Sequence, residues 1–121
     1  MWLRDIWYFA LPSRQLRAGQ MLHKTILGRP VLFGRTAAGE PFAMEDICPH
    51  RGIPLSHGRF DGCEVECCYH GWRFDQGGTC TAIPSLVEGQ HFNLERVKVQ
   101  SFPLRESRGC LWIWHGDAQG S

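Results

Sequence analysis

Two short pairs of cysteine and histidine are the feature that most constrains this chain. The pairs are Cys48-x-His50 and Cys67-x-x-His70, and 16 residues lie between His50 and Cys67. Each spacing is short enough for one loop to offer a thiolate and an imidazole to the same metal centre. The residues between the pairs suffice for a strand, a turn and a second strand. We therefore predict two loops that face each other across one metal site.

The composition is that of one ordinary globular domain. The chain has 121 residues, 43% hydrophobic and 21% charged, which suits one core and leaves little mass for a second catalytic domain. Its 13 Lys and Arg against 12 Asp and Glu form no block of like charge, which argues against nucleic acid or a membrane surface as partner. The longest apolar run, Ile6 to Leu11, has six residues, too few to span a membrane.

The location expected is cytoplasmic. Arg4 and Asp5 stand where the apolar part of a signal peptide would be needed. In a reducing compartment the six cysteines favour metal ligation or simple burial over disulfides.

Short runs of β-branched and aromatic residues between glycine and proline predict an all-β, antiparallel domain. Strands are expected near Ile6–Ala10, Met21–Leu27, Pro30–Gly34, Pro41–Glu45, Glu64–Cys67, Arg73–Phe74, Gly78–Thr81, Val97–Phe102, Leu104–Glu106 and Cys110–His115. Hairpin turns are expected at Ala37–Glu40, Asp61-Gly62, Gln76–Gly78 and Ser107–Gly109.

Two details of this pattern are specific enough to test. Ser13 to Leu16 is expected to form one helical turn with Ser13 as its cap. In the strand Cys110–His115, alternation predicts Trp112 and Trp114 on one side, with Leu111 and Ile113 on the other.

Two cysteines and two histidines admit two metal centres. Zinc would take all four tetrahedrally as a structural site. A Rieske [2Fe–2S] centre would place both cysteines on one iron and both histidines on the other. A simple zinc finger pairs Cys with Cys and His with His before a helix, whereas here each loop mixes the two and strand-like sequence follows. The mixed pairing favours iron and sulfur.

The motifs resemble those of a known family. Cys48-Pro49-His50-Arg51-Gly52 and the segment 67–75 are similar to the cluster motif of Rieske non-haem iron ring-hydroxylating oxygenases. Trp7-Tyr8, the segment 27–31 and the segment 112–117 resemble the N-terminal region of oxygenases of the vanillate demethylase type. The resemblance implies a Rieske-type antiparallel β-sandwich or barrel. It also implies that residues 1–121 form a single domain, with a small cluster-binding subdomain at about 46–75 and a basal β subdomain from the remainder.

The resemblance also implies a set of cluster ligands. Cys48 and Cys67 would bind one iron, and His50 and His70 the other. The neighbouring Cys68 is expected to be a packing residue. No residue of the chain is expected to be catalytic.

Five residues are expected to surround the cluster. Gly52 and Gly71 suit close approach of the backbone, and Trp72 would shield the cluster from water. Arg51 would hold a cluster loop or face an electron-transfer partner. Respiratory Rieske proteins have hydroxyl-bearing residues at the positions of Trp72 and Phe74, and these hydroxyls stabilise the reduced cluster. We therefore expect a potential toward the low end of the Rieske range of roughly −150 to +300 mV.

The other cysteines and histidines have ordinary roles in this interpretation. Those expected to be small buried groups are Cys63, Cys80 and Cys110. Those expected to be surface or hydrogen-bonded residues are His23, His57, His91 and His115.

A second iron site is missing from the sequence. Family oxygenases hold a mononuclear Fe(II) on two histidines and one carboxylate. Here the fragment Glu88–His91 lacks the second histidine, so the chain alone is not expected to hydroxylate a substrate.

The expected function is therefore one-electron transfer, as the N-terminal domain of an aromatic-ring oxygenase (a hydroxylase or O-demethylase). A flavin reductase or ferredoxin would be the donor, and the oxygenase catalytic domain or a neighbouring subunit the acceptor. The alternatives are a stand-alone Rieske ferredoxin that supplies a separate oxygenase and a zinc-stabilised interaction module.

Overall fold

A computed structural model describes residues 6–49, 52–68, 71–83 and 97–115. Within these ranges the chain is built from strands and short 3-10 turns, and none of its helices is long and apolar enough to cross a membrane. The strands are β1 Ile6–Pro12, β2 Met21–Ile26, β3 Arg29–Arg35, β4 Pro41–Glu45, β5 Arg59–Phe60, β6 Val65–Glu66, β7 Arg73–Phe74, β8 Cys80–Ala82, β9 Ser101–Phe102, β10 Leu104–Ser107 and β11 Cys110–His115. The predicted all-β class is confirmed.

The strands form three antiparallel sheets. The outer sheet has the order β1-β11-β10, the central sheet β2-β3-β4-β9, and the loop sheet β5-β6-β7-β8. Neighbours in each sheet are mostly joined by hairpins, whereas β1 pairs with β11 from the other end of the sequence. This pairing of distant strands closes the domain.

The central sheet is buried on both faces. Val31 and Phe33 of β3 lie in the core shared with the outer sheet, whereas Leu32 between them lies in the core that contains the predicted cluster loops. In β4, Phe42 and Met44 also face the cluster loops. Because both faces are covered, β3 is a nearly continuous apolar run.

Two tight hairpins have loops of two residues with positive φ. Leu27 and Gly28 have φ of 53° and 77°, and Arg108 and Gly109 have φ of 55° and 73°. Positive φ at both central positions is the type I′ turn, whose twist matches that of paired strands. The second turn was predicted, whereas Leu27 was assigned to a strand because a leucine gives no turn signal.

The helical turn near the start differs from the prediction. A 3-10 turn covers Ser13–Gln15, and its N-cap position is held by Pro12, with no side-chain capping bond. The expectation that Ser13 caps this turn is therefore wrong, since Ser13 is its first residue.

Aromatic pairs cover the outside of the outer sheet. Trp7 stands opposite Trp114 and Phe9 opposite Trp112, with ring centroids 5.4 and 5.9 Å apart. Leu111 and Ile113 face the core, which confirms the predicted alternation.

Candidate metal centre

The first predicted cluster loop follows β4 and has a tight backbone geometry. The N–H of Cys48 donates to the carbonyl of Ile53, and the N–H of Gly52 donates to the carbonyl of Cys48, both at 2.7 Å. Gly52 has a φ of 71°, a conformation that strains any residue with a side chain. We call residues 46–54 loop 1.

The second predicted loop joins β6 to β7 and shares two of these features. The N–H of Cys67 donates to the carbonyl of Trp72 at 2.7 Å, and Gly71 has a φ of 69°. In both loops a glycine with positive φ stands four residues after the cysteine, and the accepting carbonyl belongs to the next residue. We call residues 67–72 loop 2. The two glycines were predicted for close approach, and the structure gives them a conformational role.

The cysteine of each loop lies in the same buried core. Cys48 and Cys67 are 0% and 1% exposed and belong to one buried cluster. Trp72 and Phe74 are buried in that cluster as well. The shielding of the cluster by Trp72 stays a prediction. Two buried cysteine thiols in one core fit a metal group bound through thiolates.

Cys68 occupies a different environment from its neighbour. It is exposed, and it lines an open groove together with His57, Arg59 and Glu66. The expectation that Cys68 packs in the interior is wrong, because Cys67 takes the inward position of this segment.

The remaining cysteines divide by exposure. Cys80 is buried, and burial raises the pKa of its thiol, whose Sγ donates to the carbonyl of Ala82 at 3.6 Å. Cys110 is half-buried, whereas Cys63 is exposed, so the prediction of burial is wrong for Cys63. All six cysteines lie in the described ranges, and none forms a disulfide.

Other predicted site residues lie outside the described residues. These are His50, Arg51, His70 and the fragment Glu88–His91. Among the residues that the structure does describe, no three His, Cys, Asp or Glu side chains converge on a metal site.

Arg73 ties the end of loop 2 to the preceding hairpin. Its Nε donates to Glu64 Oε1 at 3.0 Å and its Nη1 to Glu66 Oε1 at 3.3 Å, while Nη2 pairs with Asp61 Oδ2. The hydrogen bond with Glu64 is the main cause that raises the pKa of the guanidinium. The backbone N–H groups of Glu64 and Cys63 lower the pKa of Asp61, and Arg73 adds to this.

A buried carboxylate beside loop 1 was missed in the sequence. Asp46 is 1% exposed and accepts hydrogen bonds from His23 and Ser56. His23 was expected to be a surface or hydrogen-bonded residue, and it does form this bond. The available signal was an acidic residue at the end of an apolar strand, two residues before Cys48.

The scaffold and the paired cysteine turns define a class of protein, a small β domain that holds a metal group between two loops. The chain belongs to the Rieske [2Fe-2S] domain family, whose model matches residues 6–103. The resemblance seen in the motifs is thereby confirmed, and the cofactor of the domain is a [2Fe–2S] cluster.

Curated relatives include a monooxygenase and an iron-sulfur subunit of a monooxygenase system. The chain is 36% identical to the 4beta-methylsterol monooxygenase of Methylococcus capsulatus, over 93% of this chain and 31% of the relative. It is 38% identical to the iron-sulfur subunit of the toluene-4-sulfonate monooxygenase system of Comamonas testosteroni, over 97% of this chain and 33% of the relative. The chain thus spans about a third of the length of these relatives.

Solved structures agree with these sequence matches. Apo dicamba monooxygenase superposes with a TM-score of 0.85 at 38% identity, over 98% of this chain and 35% of that one. The oxygenase–ferredoxin complex of carbazole 1,9a-dioxygenase matches with a TM-score of 0.78 at 26% identity, over 94% of this chain and 29% of that one. The fold is therefore that of the Rieske domain of such oxygenases.

Proposed function

We propose that this domain transfers single electrons through a Rieske [2Fe–2S] cluster. Cys48 and Cys67 would bind one iron, and His50 and His70 the other. The observation that carries the proposal is the pair of buried cysteines in one core of a Rieske domain. The N–H of each cysteine donates to the carbonyl five residues further along the chain.

The surrounding residues favour this role. When bound, the cluster accepts and releases one electron at a time. Trp72 and Phe74 lie in the same buried core as the two cysteines and would keep water from the thiolates. Neither ring carries a hydroxyl that could donate to a sulfur, so the chain itself favours a low reduction potential.

The wider setting of the proposal is an aromatic-ring oxygenase, of which this chain would be the N-terminal domain. In support, relatives of about three to four times its length include proteins named for toluene-4-sulfonate, dicamba and 3-chlorobenzoate. A mononuclear Fe(II) in a catalytic domain, of the same or a neighbouring subunit, would receive the electron. The chain itself would be a single cytoplasmic domain with its cluster-binding subdomain at about 46–75.

The proposed electron donor is a ferredoxin or a flavin reductase. A solved relative is a complex of an oxygenase with its ferredoxin. This chain has an open groove at loop 2, where Cys68 and Arg59 line the surface directly beside Cys67.

The ligand assignment is tested by exchanging each of the two adjacent cysteines. Cys67→Ser should abolish the red-brown colour, the iron content and the absorbance change on dithionite reduction. Cys68→Ser is the matched control and should retain all of them, because Cys68 is exposed. Cluster loss in Cys68→Ser alone would overturn the assignment, and a colourless wild-type protein with one bound zinc would end the proposal.

A further inference from the structure

Asp46 is a fully buried carboxyl group whose oxygens form three hydrogen-bond contacts. Its Oδ1 accepts from the backbone N–H of Ser56 at 2.7 Å. Its Oδ2 contacts Ser56 Oγ and His23 Nδ1, each at 2.6 Å. The N–H and the hydroxyl of Ser56 are donors, and a carboxylate can accept from both while it contacts Nδ1 of His23.

These bonds connect three parts of the molecule. His23 lies on β2, Ser56 lies in the 3-10 turn Leu55–His57, and Asp46 begins loop 1. The backbone N–H of Asp46 also donates to the carbonyl of Pro30 on β3 at 3.0 Å. One side chain therefore holds loop 1 against the central sheet and against the turn that leads toward the loop sheet.

We propose that Asp46 is a positioning residue that fixes loop 1 and also holds down the reduction potential of the cluster. The inference rests on the proposed function, because it assumes a cluster bound next to Cys48. A negative charge in the interior acts over a longer range than one in water, and it opposes the addition of an electron nearby. Asp46 precedes Cys48 by two residues and its side chain is 0% exposed.

Glu45 provides a matched comparison. It is the adjacent residue and also carries one carboxylate, but its side chain is 28% exposed and pairs with Arg29 at 2.6 Å. Solvent and Arg29 screen that charge. Each carboxylate is therefore neutralised in a separate variant. The comparison distinguishes the effect of a buried negative charge from the effect of any loss of one negative charge.

Asp46→Asn removes the charge and keeps much of the geometry. Its Oδ1 can still accept from the N–H of Ser56, and its NH2 group can donate to Ser56 Oγ or to the other tautomer of His23. Ser56→Ala makes the opposite change. It keeps the carboxylate of Asp46 and removes the Oγ–H group that donates to it and offsets its negative charge. The two variants should therefore shift the potential in opposite directions.

The experiment is protein-film voltammetry with EPR spectra on the cluster-loaded wild type and three variants. We expect a higher midpoint potential in Asp46→Asn, a lower one in Ser56→Ala, and no change in Glu45→Gln. An unchanged potential in Ser56→Ala overturns the proposal even if Asp46→Asn fails to fold. So does a shift in Glu45→Gln as large as that in Asp46→Asn.

The wild-type spectrum separates this inference from the function on which it rests. A wild type without a Rieske EPR signal contradicts both. If the wild type shows the signal and the variants keep both its spectrum and its potential, only the proposed role of Asp46 is contradicted. The proposed function then stands.

Discussion

Gly58 and Glu66 approach so closely that a Cβ on the glycine would lie 1.8 Å from the carbonyl oxygen of Glu66. The same Cβ would be 3.0 Å from the backbone nitrogen of Cys68. Gly58 follows the 3-10 turn Leu55–His57, and Glu66 directly precedes Cys67. This backbone contact packs the segment after loop 1 against the first residues of loop 2.

Gly58→Ala should therefore destabilise the domain and disturb loop 2. The φ of Gly58 is −89°, so the penalty arises from the clash rather than from backbone strain. Overpacking of this kind costs typically about 1–3 kcal/mol. Denaturant unfolding and the rate of cluster loss measure the effect.

Gly77→Ala is the control for this prediction. Its Cβ would meet only Asp75 Oδ1, at 3.4 Å, which is ordinary contact. Equal stability of the Gly58 and Gly77 variants would show that the close approach has no energetic consequence.

Phe74→Tyr should raise the reduction potential. Phe74 is 0% exposed and lies in the core that contains Cys48 and Cys67. A hydroxyl placed there would donate to a sulfur and stabilise the more negative reduced cluster. Phe33→Tyr is the control, since Phe33 is equally buried but lies in the other core. If the potential is the same in wild type and Phe74→Tyr, the missing hydroxyl does not explain the low value we expect.

Arg73→Lys should loosen loop 2 with little loss of global stability. A lysine keeps the charge but lacks the planar group that reaches Asp61, Glu64 and Glu66 together. Because these pairs are partly exposed, we expect a loss of at most about 1 kcal/mol. Faster amide hydrogen exchange in residues 67–72 is the expected readout.

Arg105→Lys preserves charge in the same way on the outer sheet, where Arg105 lies 4.6 Å from the ring centroid of Trp7. Exchange in loop 2 should not respond to it. An equal response to both substitutions would argue against a specific role of Arg73 at the loop.

Local signals in the sequence predicted much of this fold. The strands Pro41–Glu45, Arg73–Phe74 and Cys110–His115 were predicted with the bounds that the structure shows. Alternation and turn residues operate over a few neighbours, so these elements can be read from the chain. The strand Arg59–Phe60 was missed, although the equally short strand Arg73–Phe74 was predicted.

In the candidate site, too, some features could be predicted from the local sequence and others could not. The cysteine spacing indicated that Cys48 and Cys67 would meet, and the structure places both in one core. The bond between Asp46 and His23 joins residues 23 positions apart and depends on the registers of β2 with β3 and of β3 with β4. Only the folded sheet brings these two side chains together, so no local sequence pattern predicts their hydrogen bond.

The central claim is a cluster bound by two cysteines and two histidines. The most direct measurement is pulsed EPR of the dithionite-reduced protein, which detects nitrogen nuclei coordinated to the iron. We predict two coordinated histidine nitrogens, and loss of that signal together with the cluster in His50→Ala and His70→Ala. A reduced protein without coordinated nitrogen, or one whose signal survives both substitutions, would contradict the claim.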